Sequence, residues 1–201
     1  MDLVFAISAI SPKADVNFAT IKEIIQELID MYGVQRVYYS IILFGRDPTV
    51  SIKFSQKLSE DSLKNAVNLL PRATDGSSLE AALAKAREVF NEGSRPDSKK
   101  IVVVLLDQKS ESNIDDVREA AGKLEDDGIK VIPVAFGEKG DPDECEAATT
   151  NKGNVVKAND TSDPKDVAEE ISQRVTEGED DCKLGNKLKW FISCSILRNI
   201  A

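Results

Sequence analysis

The chain has 201 residues, 41% hydrophobic and 30% charged, enough for one domain whose core needs neither disulfides nor a structural metal. With 26 basic and 35 acidic residues its formal charge is −9. A chain this acidic repels nucleic-acid backbones and anionic membrane surfaces, so nucleic acid is not an expected partner. Histidine is absent, which excludes Ser-His-Asp and Cys-His catalysis, His-ligated zinc, haem on a proximal histidine and histidine pH switches. Cys145, Cys182 and Cys194 are too few and too scattered for a Cys-only zinc site or a disulfide scaffold. No apolar run reaches bilayer length, and Met1 leads into a strand-like segment without a basic leader, so neither a membrane span nor a signal peptide is expected.

Short apolar runs alternate with longer segments of helical period. Leu3–Ile7 reads as a buried strand, and Phe18, Ile21, Ile24, Ile25, Leu28 and Ile29 line one face of a helix. Val37–Phe44 is a second strand. Gly45-Arg46-Asp47-Pro48 then turns the chain into Val50, Ile52 and Phe54, which alternate with polar residues. That pattern predicts a hairpin whose second strand is antiparallel, half-exposed and at an edge. Leu63, Ala66, Val67 and Leu70 form a helix stopped by Pro71, and Leu79–Phe90 another closed by Gly93. The strand Ile101–Leu106 precedes a helix through Ile114, Val117, Ala121 and Leu124 that ends at Gly128. Ile129–Phe136 is a strand, Asp143–Thr150 a short helix holding Cys145 as a small hydrophobe, and Asn154–Val156 a last strand. The helix Val167–Val175 opens on Asp163-Pro164, a cap followed by proline. The alternation predicts a doubly wound α/β fold, mostly parallel, with helices on both faces of the sheet.

The polar run from Thr176 to Asp181 marks an exit, giving a domain over 1–177 and a tail over 178–201 outside the fold. The tail holds Lys183, Lys187, Lys189 and Arg198 with no acidic residue after Asp181. Its apolar run Trp190–Leu197 lacks both periodicity and length.

In open parallel sheets ligands collect beyond the carboxyl ends of the strands. The first such loop, Ser8-Ala9-Ile10-Ser11-Pro12, has no glycine, so neither a dinucleotide fingerprint nor a P-loop is present. Asp107-Gln108-Lys109-Ser110 puts one aspartate at a strand end, where it serves a cap or turn as readily as a ligand. Asp75-Gly76-Ser77-Ser78 reads by itself as a turn and N-cap. With no carboxylate pair at converging strand ends, no catalytic residue is expected. Asn159-Asp160-Thr161 is a glycosylation sequon, usable only in a secreted chain.

Together these segments carry a resemblance. Asp2–Ile7 with its serine-bearing loop, amphipathic helix and hairpin resembles the opening of a von Willebrand factor type A domain. Gly76-Ser77-Ser78-Leu79 with Ala82-Leu83 is similar to that family's Gly-Thr-x-x-x-x-Ala-Leu segment, and Lys100–Asp107 to its fourth strand, which ends in Thr-Asp-Gly. Gly128–Gly137 resembles its fifth strand; the likeness covers about residues 2–176. It implies a six-stranded sheet in the order 3-2-1-4-5-6, with the third strand antiparallel. It also implies a metal-ion-dependent adhesion site built from Asp-x-Ser-x-Ser, a Thr and an Asp. Laid on this chain, those positions are Ser8, Ile10, Pro12, Ser77 and Asp107. Only Asp107 is kept; Gln108 replaces the following glycine, and Ser11 stands one residue out of register. Mg²⁺ is held through carboxylate charge, which neutral hydroxyls do not replace. No cofactor is therefore expected, and Mg²⁺ is disfavoured, with Asp107, Ser77 and Ser8 the residues that would ligate it.

The function implied is non-enzymatic: an adhesion module of an extracellular matrix or cell-surface protein. It would bind a protein partner through loops containing Ser8, Ser11, Asp75, Ser77 and Asp107. The alternative is a cytoplasmic domain of the same type, acting as a scaffold in a multiprotein complex.

Overall fold

A computed structural model of the chain describes residues 1–8, 15–72 and 76–177. The elements are β1 (Asp2–Ser8), α1 (Asp15–Tyr32), β2 (Tyr38–Phe44), β3 (Thr49–Ile52), α2 (Glu60–Asn68), α3 (Leu79–Gly93), β4 (Lys100–Leu106), α4 (Ile114–Asp126), β5 (Ile129–Phe136), α5 (Pro142–Ala147), β6 (Val156–Ala158) and α6 (Pro164–Thr176). They build a six-stranded sheet in the order β3-β2-β1-β4-β5-β6. Every neighbouring pair is parallel except β2–β3, the expected antiparallel hairpin at the edge.

All seven residues of β1 are buried because successive side chains leave opposite faces of a strand that is covered on both. Leu3, Phe5 and Ile7 pack with Ile21, Ile25 and Leu28 of α1, Val67 of α2 and Ile171 of α6. Val4 and Ala6 join the other core, with Leu83 and Phe90 of α3, Val117 and Leu124 of α4 and Cys145 of α5. The helical periods read from the sequence are those two buried stripes. Their starts are capped as the composition suggests. Ser78 Oγ accepts from Ala81 N at 3.2 Å, Asn113 Oδ1 from Asp115 N at 2.8 Å, and Asp163 Oδ1 from Lys165 N at 2.8 Å ahead of Pro164.

Several boundaries differ from expectation, most by a single residue and four in ways that matter for packing. The third strand ends at Ile52, and Phe54 begins a short 3-10 turn whose ring tilts against Phe90 at 5.6 Å between centroids. Helix α2 closes at Asn68, three residues before Pro71, leaving Leu69 exposed and Leu70 buried. The short helix ends at Ala147 rather than Thr150. The last strand starts at Val156 rather than Asn154, because Asn151 caps a 3-10 turn over Lys152–Asn154. Asn154 then turns inward, donating from Nδ2 to the Val131 carbonyl at 3.3 Å.

At the amino end of the sheet Asp2 is fully buried and heavily bonded. It accepts from Arg95 Nε at 2.9 Å, Arg95 N at 2.7 Å and Ser98 Oγ at 2.6 Å. Burial pushes its carboxyl upward, and these hydrogen bonds, the Arg95 guanidinium first, hold it below the usual aspartate range.

Candidate functional site at the carboxyl edge of the sheet

Three of the residues singled out from the sequence come to one end of the central strands. Ser8 closes β1 beside Phe44 of β2. Asp107 follows β4, whose Leu105 lies beside Ile7 of β1. Ser77 precedes α3 in a loop tied to both neighbours: the Gly45 carbonyl accepts from Ser78 N at 3.0 Å, and the Ser77 carbonyl from Glu111 N at 2.7 Å. The loop comes close enough to demand glycine. Gly76 has φ +42°, and a Cβ there would meet Glu111 Oε2 at 3.1 Å and Arg46 Nε at 3.3 Å. Those two side chains form an exposed ion pair at 3.5 Å on the rim.

Ser8 is 0%, Ser77 2% and Asp107 1% exposed. The Ser8 and Ser77 hydroxyls are buried without a hydrogen-bond partner among the described residues, an arrangement that costs stability unless something polar fills the space. Ser11 and Asp75, the other two residues expected here, lie outside the described residues, as do Ile10, Pro12 and Cys182. Asn159 is exposed on the loop after β6. Its Oδ1 accepts from Thr161 N at 2.9 Å and Thr161 Oγ1 at 2.7 Å, an Asx turn that displays the sequon.

Sequence reasoning missed what holds the Asp107 loop. Glu144 of α5, 2% exposed, accepts from Ser110 N at 2.8 Å and from Ser110 Oγ. Ser110 Oγ in turn accepts from Ser112 N at 3.1 Å. On the surface above, Lys109 Nζ reaches Asp141 at 2.8 Å. That hydrogen bond raises the lysine's pKa and holds the Asp141 carboxyl low. Nothing local announces a partnership spanning 34 residues; a glutamate beside Cys145, expected as a small hydrophobe, was the available signal.

The chemistry of these donors decides what they can hold. Ser8, Ser77 and Asp107 offer one carboxylate and two neutral hydroxyls, and among the described residues no three His, Cys, Asp or Glu side chains gather to bind a metal. Mg²⁺ dehydrates reluctantly and is repaid by carboxylate charge. These residues suit a hydrogen-bonding occupant and do not fit a tightly held divalent cation.

Comparison with known proteins agrees with this architecture. A mouse (Mus musculus) protein, von Willebrand factor A domain-containing protein 1, is 26% identical over 141 residues, 68% of this chain and 33% of its own length. The chain thus spans about a third of that curated relative. Proximal thread matrix protein 1 from the mussel byssus superposes with a TM-score of 0.79 at 20% identity, over 87% of this chain and 47% of its own. One structure of that mussel protein has a zinc-occupied MIDAS motif. A von Willebrand factor type A structure from Catenulispora acidiphila gives a TM-score of 0.67 at 19% identity, over 86% of this chain and 41% of its own. These structural likenesses speak for the fold. The model of the von Willebrand factor type A domain matches residues 2–173, and with the strand order and hairpin described above, the chain belongs to that family.

Proposed function

We propose that this domain is a non-enzymatic adhesion module of a secreted matrix or cell-surface protein. It takes a protein partner on the loops around Ser8, Ser77 and Asp107, without a tightly held metal. The observation that carries the reading is the set, among the described residues, of one buried carboxylate at Asp107 and two unsatisfied hydroxyls at Ser8 and Ser77 at the carboxyl end of the central strands. The bracing of the Asp107 loop by Glu144 supports it, since a rigid loop loses less entropy on binding. The extracellular setting is supported by the exposed sequon at Asn159 and by the likeness to a byssal matrix protein.

The test is a thermal melt with Mg²⁺ or Mn²⁺ against chelator, run on the natural chain, on Asp107→Ala, and on the triple variant Ser8→Asp/Ile10→Ser/Pro12→Ser. A ligand binding only the native state stabilises by RT ln(1 + [L]/Kd). A site of millimolar or weaker affinity therefore gives less than about 1 kcal/mol at a few millimolar ion. The natural chain is expected to show no saturable gain and the triple variant a clear one. A metal-dependent gain in the natural chain that Asp107→Ala abolishes would overturn the metal-free reading. Expression through a secretory pathway checks the setting: a glycan at Asn159, removed by Asn159→Gln, is the expected result.

A further inference from the structure

At the other end of the sheet, where β3 runs out beside the start of β2, lies a recess that the adhesion reading does not use. It is a cleft of about 180 Å³ between the β3–α2 connection and the segment leading into β2. Val37, Phe54 and Leu58 give it an apolar wall, Tyr38 contributes a half-buried ring, and Lys53 and Lys57 stand exposed at its border. The volume is below the roughly 300 Å³ of a small-molecule site and suits one large apolar side chain.

Its charge is the reverse of the molecule's. The chain carries −9 overall, yet among the described residues no carboxylate lines this cleft. Lys64, Lys85, Lys109, Lys123 and Lys152 are all paired with acidic side chains. Lys53 and Lys57 have no carboxylate partner among the described residues. The nearby Glu60 is bound by Lys64 at 3.3 Å. Lys57 is also the one non-glycine residue with positive φ among the described residues, at φ 43° and ψ 50°. That is a conformation glycine adopts freely and lysine does not. A lysine held there against its own backbone preference keeps its ammonium 5.6 Å from the centre of the Tyr38 ring, which Arg95 also approaches at 4.0 Å.

We infer that this cleft is a second docking site, taking a short acidic segment of a protein partner: one apolar side chain against Val37, Phe54 and Leu58, with flanking Asp or Glu carboxylates on Lys53 and Lys57. The recess favours a peptide over a sulfated glycan, which would meet the lysines but has no apolar side chain to insert against the half-buried Leu58 and the edges of Val37 and Phe54. The site is independent of the loops around Asp107.

The probe is a synthetic peptide, acetyl-Asp-Glu-Leu-Glu-Glu-amide, titrated into the full isotopically labelled chain while amide chemical shifts are followed. Saturable shifts are expected at Val37, Lys53, Phe54 and Lys57, with residues 107–113 unmoved. Lys57→Gly suits the backbone conformation, so it removes the ammonium without threatening the fold. It and Lys53→Gln should each weaken binding three- to tenfold. The Asn/Gln analogue of the peptide, and one with Ser for Leu, should bind at least tenfold more weakly. The inference is overturned by any of four results: no saturable shifts at these residues up to millimolar peptide, equal binding of the uncharged analogue, unchanged affinity in both lysine variants, or tighter binding there of a heparin-derived hexasaccharide.

Discussion

Single buried polar residues carry much of the specificity of this domain, and Asp2 is the clearest. Its carboxylate is buried and receives hydrogen bonds from Arg95 and Ser98, which also tie the start of β1 to the segment ahead of β4. Because its folded pKa lies below the ordinary aspartate value, the unfolded chain binds this proton more readily. The stabilisation is therefore complete above that ordinary value, about 3.9, and is lost as pH falls through the folded one. Urea unfolding of the natural chain between pH 7 and pH 2.5 should show a loss of stability at the acid end that is smaller in Asp2→Asn. At pH 7 Asp2→Asn should cost about 2–4 kcal/mol, since it leaves Arg95 without its buried counter-charge. Equal acid slopes in the two proteins would remove Asp2 from this role.

Elements differ in how firmly they are held. The strand β3 has four residues, pairs only with β2, and exposes Thr49 and Ser51. Hydrogen exchange along Thr49–Ile52 should be faster than along β1 or β4, which are paired on both sides. Exchange as slow as in β4 would mean that this edge is covered. Helix α5 is only six residues long, yet it braces the Asp107 loop through Glu144. Glu144→Ala should leave Ser110 N–H and its hydroxyl unsatisfied, cost about 1–3 kcal/mol, and speed exchange at residues 108–112 beyond what global unfolding allows. If exchange there rose only in step with the rest of the molecule, the brace would be part of general packing.

At the scale of the molecule, two cores on the two faces of one sheet share the central strands β1 and β4. Helix α6 completes the first core through Val167, Ala168, Ile171 and Val175, and the family match ends at residue 173. The fold is therefore expected to close with α6. Truncation after Glu177 should leave the thermal midpoint within a degree or two, as loss of a segment without core contacts would. A drop of several degrees, which corresponds to about 1–2 kcal/mol for a domain of this size, would assign the segment beyond residue 177 to the fold. The charge distribution also belongs to this scale: among the described residues, an acidic chain keeps a cleft bordered by Lys53 and Lys57 at one end of its sheet and the buried Asp107 at the other.

The sequence by itself determined the class of fold, because burial on both faces leaves uninterrupted Val, Ile and Leu runs in β1, β4 and β5, and one-sided burial leaves helical stripes in α1, α3 and α4. It also located the edge hairpin, since Pro48 and the alternation at Val50 and Ile52 suit a strand with one exposed face. The expectation of a weakened metal site came from residue chemistry alone, laid on Ser8, Ile10 and Pro12 by resemblance. Only the tertiary structure decided which polar residues are paired. Glu144 with Ser110, and Asp2 with Arg95 and Ser98, are contacts across 34 and more than 90 residues. Local periodicity carries no information about them. The start of β6 depended likewise on Asn154 reaching Val131, and the basic cleft on a left-handed turn at Lys57 that no glycine announced. Local preferences set each element; long-range hydrogen bonds and close approach set where the elements stop and which side chains are left facing a partner.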